Sequence, residues 1–211
     1  MKKTVLWFTH GVLGRLFLRM FVGVRFDSGR FLAEEKQFII VANHNSHLDT
    51  MTIMASLPRN VIHKVRPVAA ADHFGKTRLK ANLSNFFINA LLIQRKRDKD
   101  NRENDPIFQM IKALDDGFSL IIFPEGTRGT PEVQQPLKPG VAIVLSQRPT
   151  VKYVPAYMKG MGKAMPKDDS LIVPHISTLV YGKPTQVNST DVTAIMAQIG
   201  QDLNVLRDSL N

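Results

Sequence analysis

Residues 36–49 read Lys36-Gln37-Phe38-Ile39-Ile40-Val41-Ala42-Asn43-His44-Asn45-Ser46-His47-Leu48-Asp49. The apolar run ending at Ala42 has the length and side chains of a buried strand, and the polar residues after it suit a turn and an N-cap. The apolar-periodic stretch Leu48-Asp49-Thr50-Met51-Thr52-Ile53-Met54-Ala55 then continues as a helix. Within a continuous helix, the five positions from His44 to Asp49 would turn through about 500° and leave the two side chains roughly 140° apart. With His44 in the turn and Asp49 in the first turn or two of the helix, the carboxylate can reach Nδ1. That contact fixes the tautomer whose Nε2 is free as a base.

Working outward, the pattern repeats. Apolar strands are predicted at Gln37–Ala42, Val65–Ala71, Leu91–Arg95, Phe118–Phe123 and Val151–Met158, with a late strand or hairpin over Leu171–Tyr181. Helices are predicted near Leu48–Leu57, Arg78–Phe87, Asp105–Asp115, Gly140–Gln147 and Val192–Ser209. This alternation predicts an α/β fold, a mixed central β-sheet flanked by helices, with active residues at the carboxyl ends of strands. At 211 residues and 44% hydrophobic, the chain suffices for one sizeable core, read as residues 31–211 behind an N-terminal segment, 1–30.

A second string, Phe123-Pro124-Glu125-Gly126-Thr127-Arg128-Gly129, follows the strand Ser119–Phe123. It sets a carboxylate, a guanidinium and two glycines together, so backbone amides and a fixed cation can meet an anionic ligand. Glu125 and Arg128 also suit a structural salt bridge with each other. Arg95 opens the charge run Arg95-Lys96-Arg97-Asp98-Lys99-Asp100, which reads as an exposed loop.

These strings resemble the glycerolipid acyltransferase family, typified by lysophosphatidic acid acyltransferases, over roughly residues 36–160. Asn43-His44-x-Ser46-x-x-Asp49 is similar to the family's first block, and Phe123–Arg128 matches its third without a substitution. Asn89-Ala90-Leu91-Leu92-Ile93-Gln94-Arg95 resembles the second, lacking its opening glycine, and Val154-Pro155-Ala156 resembles the fourth. The resemblance implies transfer of a fatty acyl group from acyl-CoA or acyl carrier protein to a hydroxyl of a lysophospholipid-like acceptor. His44 would be the general base and Asp49 its orienting partner. Backbone amides around Gly126, Thr127 and Gly129 would meet the oxyanion. Arg128 and Arg95 would hold an acidic head group, and Glu125 would bind the acceptor hydroxyl or position Arg128.

The chain departs from the family in one place that bears on the acceptor. Relatives acting on lysophosphatidic acid carry a lysine at a strand end where this chain reads Ala69-Ala70-Ala71-Asp72. Lys64, Lys76 or Lys80 are the replacements the sequence offers, and a broader or different acceptor range is expected.

Composition sorts the remaining readings. With no cysteine there is neither a thiol nucleophile nor a zinc motif, and His47, His63, His73 and His175 have no partner at ligand spacing, so no metal or other cofactor is expected. The net charge of +10 suits an anionic lipid surface. Nucleic-acid binding through residues 95–102 is a poor fit, because Asp98, Asp100 and Glu103 interrupt the basic run and no aromatics interleave it. A silent lipid-binding relative or a hydrolase would share the same motifs.

In residues 1–30 the longest uncharged run is the 11 residues from Thr4 to Gly14, short of the ~20 needed for a bilayer span. Arg15, Arg19 and Arg25 likewise interrupt the apolar core a signal peptide needs. Leu13, Leu16, Phe17, Met20, Phe21 and Val24 follow helical spacing, with Arg15 and Arg19 on another face. The segment is therefore read as an interfacial amphipathic helix on the cytoplasmic face of a membrane, peripheral or monotopic, in preference to a helix packed on the protein's own core.

Overall fold

The computed structural model describes residues 2–27, 29–71, 89–95, 101–131, 133, 135–166 and 171–210. Its described strands form one seven-stranded sheet: β1 (Val24–Phe26), β2 (Phe38–Ala42), β3 (Val65–Ala70), β4 (Leu91–Ile93), β5 (Ser119–Ile122), β6 (Lys152–Lys159) and β7 (Ser177–Tyr181). The spatial order is β1-β7-β6-β2-β5-β3-β4. All neighbours are parallel except β6 and β7. The helices are α1 (Lys2–Val22), α2 (Asp49–Ser56), α3 (Pro106–Asp115), α4 (Gly140–Gln147), α5 (Met161–Ala164) and α6 (Val192–Asp208).

Central strand β2 is buried along its whole length, as a strand covered on both faces must be. Because successive side chains point to opposite faces, Phe38, Ile40 and Ala42 enter one core with Ile53 and Met54 of α2 and Leu6, Leu18 and Val22 of α1. Ile39 and Val41 enter a second core with Met110, Leu114, Val144, Leu145, Ile195 and Ile199, from α3, α4 and α6. The result is helix, sheet, helix in three layers, as the alternating sequence pattern predicts.

Asp105 and Asp191 explain where two of these helices begin. Asp105 accepts from the amides of Ile107 (2.9 Å) and Phe108 (3.2 Å) ahead of α3, with Pro106 in its first turn. Asp191 accepts from Ala194 N at 2.7 Å ahead of α6. The predicted helix over Arg78–Phe87, and Lys76 and Lys80, lie outside the described residues.

Three expectations need correction. The late strand is only Ser177–Tyr181, and residues 171–176 have no regular structure. Neither Asn45 nor Ser46 caps α2; Leu48 is its N-cap, and Ser46 Oγ instead accepts from Leu48 N at 3.2 Å, a local turn that competes with capping. β1 was not predicted, because three residues carry too little periodicity to read; Val24 belongs to it and not to the helical stripe.

The N-terminal segment also differs from its prediction. Arg15 and Arg19 do not break α1, which runs 21 residues and, by length and a mean hydropathy of 1.3, is long and apolar enough to cross a membrane. It nevertheless docks along one face. Leu6, His10, Gly14, Leu18 and Val22 are buried at intervals of four residues. In a pure α-helix that row would drift about 40° per step and leave the core by its end. The wider π turns at Trp7–Gly14 and Leu18–Val22 cancel the drift, so one face meets the protein throughout. Phe8, Leu13, Leu16, Met20 and Phe21 are exposed on the other side. Arg59 stacks on Trp7 at 4.8 Å and helps hold the docked face.

Candidate active site

The turns after β2 and β5 meet at the carboxyl edge of the sheet, where open α/β sheets place ligands. His44 leaves β2 and Asp49 opens α2, the arrangement that the five-residue spacing required. His44 Nδ1 donates to Asp49 Oδ2 at 2.9 Å. The same oxygen accepts from the amides of Asn45 (2.7 Å) and Ser46 (2.8 Å), so the carboxylate is held before any substrate arrives. Asp49 is fully buried, and its other oxygen, Oδ1, has no hydrogen-bond partner among the described residues. A carboxylate only accepts, so Nδ1 carries the hydrogen and Nε2 is left as the basic nitrogen. The imidazole stacks on Phe123, with centroids 4.2 Å apart and 18° between planes.

Asn43 fixes the start of this turn. Its side-chain amide donates to Met158 O at 2.9 Å and accepts from Met158 N at 2.8 Å, extending the pairing of β2 with β6 by one side chain. Ser46 Oγ donates to Met165 O at 2.8 Å beyond α5. Two flanking segments therefore brace the loop that carries His44.

The string after β5 grips His44 by its main chain. Glu125, 2% exposed, accepts His44 N on Oε1 at 3.0 Å and Gln135 N on Oε2 at 3.4 Å. Gly129 N donates to His44 O at 3.0 Å. Burial pushes the Glu125 carboxyl above the ordinary range; the His44 and Gln135 amides and the His44 ring oppose that rise, and the nearby Asp49 charge adds to it. Gly126 turns the chain at φ +70°, a conformation that favours glycine, and its amide donates to Phe123 O at 3.0 Å. Thr127 is exposed, and the Arg128 guanidinium lies against the His47 ring through Nη1, Nδ1 and Nε2.

A cavity of about 330 Å³ opens beside this edge, lined by Ala70, Arg95, Met110, Phe123, Gly126 and Lys138 among others. It brings Arg95 to the same space as Gly126. Lys138 was overlooked in the sequence. Its amide donates to Pro124 O at 2.7 Å, and its ammonium lies 2.7 Å from where a Cβ on Gly126 would be. The signal was there as Leu137-Lys138-Pro139-Gly140, a cation just before an unusually apolar helix. Lys64 is no replacement for the absent lysine. It precedes β3, while Ala70 ends it, about 20 Å away along an extended strand.

The profile of the acyltransferase family matches residues 24–175 of the chain. No curated protein matches it significantly by sequence. Among solved structures, the fold is similar to that of PlsC, the 1-acyl-sn-glycerophosphate (LPA) acyltransferase from Thermotoga maritima. The TM-score is 0.78 at 19% identity, over 99% of this chain and 79% of that one. The family match spans most of the chain and both strings that the sequence singled out, and the chain therefore belongs to the acyltransferase family and is an acyltransferase.

Proposed function

We propose that the protein transfers a fatty acyl group from an acyl-CoA or acyl carrier protein thioester to the hydroxyl of a lysophospholipid-like acceptor, with lysophosphatidic acid giving phosphatidic acid as the first candidate. The observation that carries this reading is the His44 Nδ1 to Asp49 Oδ2 bond, which leaves Nε2 as the base. His44 takes the proton as the acceptor oxygen attacks the thioester carbonyl, and Asp49 stabilises the imidazolium. The new C–O bond forms, the C–S bond breaks, and His44 returns the proton to the leaving thiolate. Gly126 N and Gly129 N already donate to Phe123 O and His44 O, so the oxyanion donor is first sought at the Thr127 amide.

Arg128, Arg95 and Lys138 supply cations around the acceptor's head group, and the apolar walls of the cavity suit a hydrocarbon chain. With Ala70 where relatives carry lysine, Lys138 is the residue we assign to part of that charge, and the acceptor range is expected to be broader than lysophosphatidic acid alone. The exposed apolar side of α1 supports a peripheral or monotopic position on the cytoplasmic face of a membrane.

The test is thiol release from acyl-CoA and from acyl carrier protein thioester over a panel of acceptors. Release that requires a hydroxy-lipid supports transfer. Release without any acceptor would make the protein a thioester hydrolase, and no release with any pair would leave a lipid-binding relative.

A further inference from the structure

Large exposed apolar side chains gather in two places. Of the eleven among the described residues, Phe8, Leu13, Leu16, Met20 and Phe21 lie on α1, and Leu171, Ile172, Val173 and Ile176 lie in the segment before β7; only Val133 and Val205 lie elsewhere. Leu171 is 71% exposed, Ile176 68% and Met20 69%.

The two places are joined by backbone bonds. His175 N donates to Val22 O at 3.0 Å and Ser177 N to Gly23 O at 3.3 Å, at the end of α1 that carries Met20 and Phe21. Gly23, at φ +88°, closes the helix, and the chain continues as β1 in register with β7, Val24 opposite Ser177. Residues 171–176 are also held from the other side. Val173 N donates to Ala164 O at 2.9 Å, and Ile176 O would stand 2.5 Å from a Cβ on Gly160, which must therefore be glycine. The backbone is fixed while its apolar side chains face outward, so their exposure reflects the fold.

Charge identifies the occupant. Residues 2–26 carry Lys2, Lys3, Arg15, Arg19 and Arg25 with no acidic residue, and residues 171–176 carry no Asp, Glu, Lys or Arg. An apolar patch fringed on one side by cations matches the acyl region and anionic head groups of a lipid surface.

We infer that residues 171–176 form a second membrane-inserting element, which works with the exposed face of α1 as one composite footprint on an anionic bilayer. The inference rests on the reading of this protein as working at a lipid surface. It goes further in placing the footprint beside the catalytic turn. Ala164, which accepts from Val173, ends α5; the next residue, Met165, accepts from Ser46 Oγ; and a Cβ on Gly162 of the same helix would touch Asn45 and Pro131. Two residues, Ala164 and Met165, thus link Val173 of the lipid-facing segment to Ser46 of the loop that carries His44.

The chain has no cysteine, so a single introduced one can be labelled alone. Leu171→Cys, Ile176→Cys, Met20→Cys and Thr193→Cys, each in the full chain with an environment-sensitive fluorophore, are mixed with vesicles of equal parts phosphatidylglycerol and phosphatidylcholine. Thr193 is the control, exposed on α6 across the sheet from α1. Blue shifts at residues 171, 176 and 20, quenching there by brominated acyl chains, and none at residue 193 are expected. The double substitution Leu171→Asp with Ile176→Asp should lower vesicle partitioning by roughly tenfold or more, without changing the thermal midpoint or turnover on detergent-dispersed acceptor.

A shift at residue 20 with none at 171 and 176 would overturn the inference and leave α1 as the sole contact. So would a concentration-dependent dimer that the double substitution abolishes while vesicle binding is unaffected, since the patch would then join two copies of this chain. Loss of vesicle binding in a protein that transfers no acyl group to any acceptor would still uphold the inference and would refute the proposed reaction alone.

Discussion

The main-chain amide of His44 donates to Glu125 Oε1 at 3.0 Å, so the glutamate of the second string is bonded to the histidine of the first. Glu125 is placed to hold the backbone at His44 and at Gln135. Removing it leaves a largely buried N–H without its acceptor, at a cost of about 1–3 kcal/mol. Glu125→Ala should therefore lower kcat by about 10- to 100-fold, with the acceptor KM changed little. A raised acceptor KM at unchanged kcat would instead assign Glu125 to the acceptor hydroxyl.

His44→Ala should lower turnover by about 10²- to 10⁴-fold in a protein with an unchanged thermal midpoint. Asp49→Asn keeps one oxygen for the Asn45 and Ser46 amides but puts an NH2 where Oδ1 now meets no described hydrogen-bond partner. It should retain more activity than His44→Ala and lose more stability. Steady-state rates and thermal melts of the two variants separate these effects, and near-wild-type turnover in folded His44→Ala would refute the mechanism.

Arg128 and Lys138 should both act on the acceptor. Arg128→Ala is expected to raise the acceptor KM by about 10- to 100-fold, the value of a charge-assisted hydrogen bond, and to leave the thioester KM near its original value. Arg128→Lys should rescue only part of the loss, because lysine lacks the planar fork. Lys138→Met should raise the KM for phosphate-bearing acceptors and not for uncharged hydroxy-lipids. A rise in the thioester KM in either variant would place these cations on the donor.

The raised pKa of Glu125 gives stability a definite dependence on pH. For an acid whose folded pKa lies above its unfolded one, the contribution to stability is full below the unfolded value and is lost as pH rises through the folded one. Glu125→Gln removes this titration. The melting temperature of the wild type relative to Glu125→Gln should therefore increase as pH falls from about 7 toward 4. A flat difference over that range would show that the amide bonds offset the cost of burial.

The strands and helices legible in the sequence were those with a strong period or an obvious boundary. Phe38–Ala42 followed by Asn43, and Asp105-Pro106 ahead of α3, are marked by local chemistry, and both appear where predicted. His44 and Asp49 were legible because their spacing admits few geometries. What the sequence hid depends on distant partners. β1 exists because β7 lies beside it. Lys138 reaches Gly126 only because the chain folds back on Pro124. The bond from His44 N to Glu125 joins residues 81 positions apart, which no local pattern reports. For α1, helical spacing identified the outward residues Leu13, Leu16, Met20 and Phe21 but also took in Phe17, which packs on the core, and the docked row was missed because its interval of four is not the α period.

The pairing of β1 with β7 sets an order of events during synthesis. Val24 leaves the ribosome about 150 residues before Ser177, its partner in the sheet. At roughly 5–20 residues per second, α1 waits on the order of ten seconds or more for the strand that anchors its end. Throughout that interval the end of α1 lacks its anchoring bonds, although its docked row can settle on α2 once residues 49–56 have emerged. On the proposed lipid-surface reading, the outward row of α1 would reach the bilayer before β7 is made, and the enzyme would complete its fold already in place.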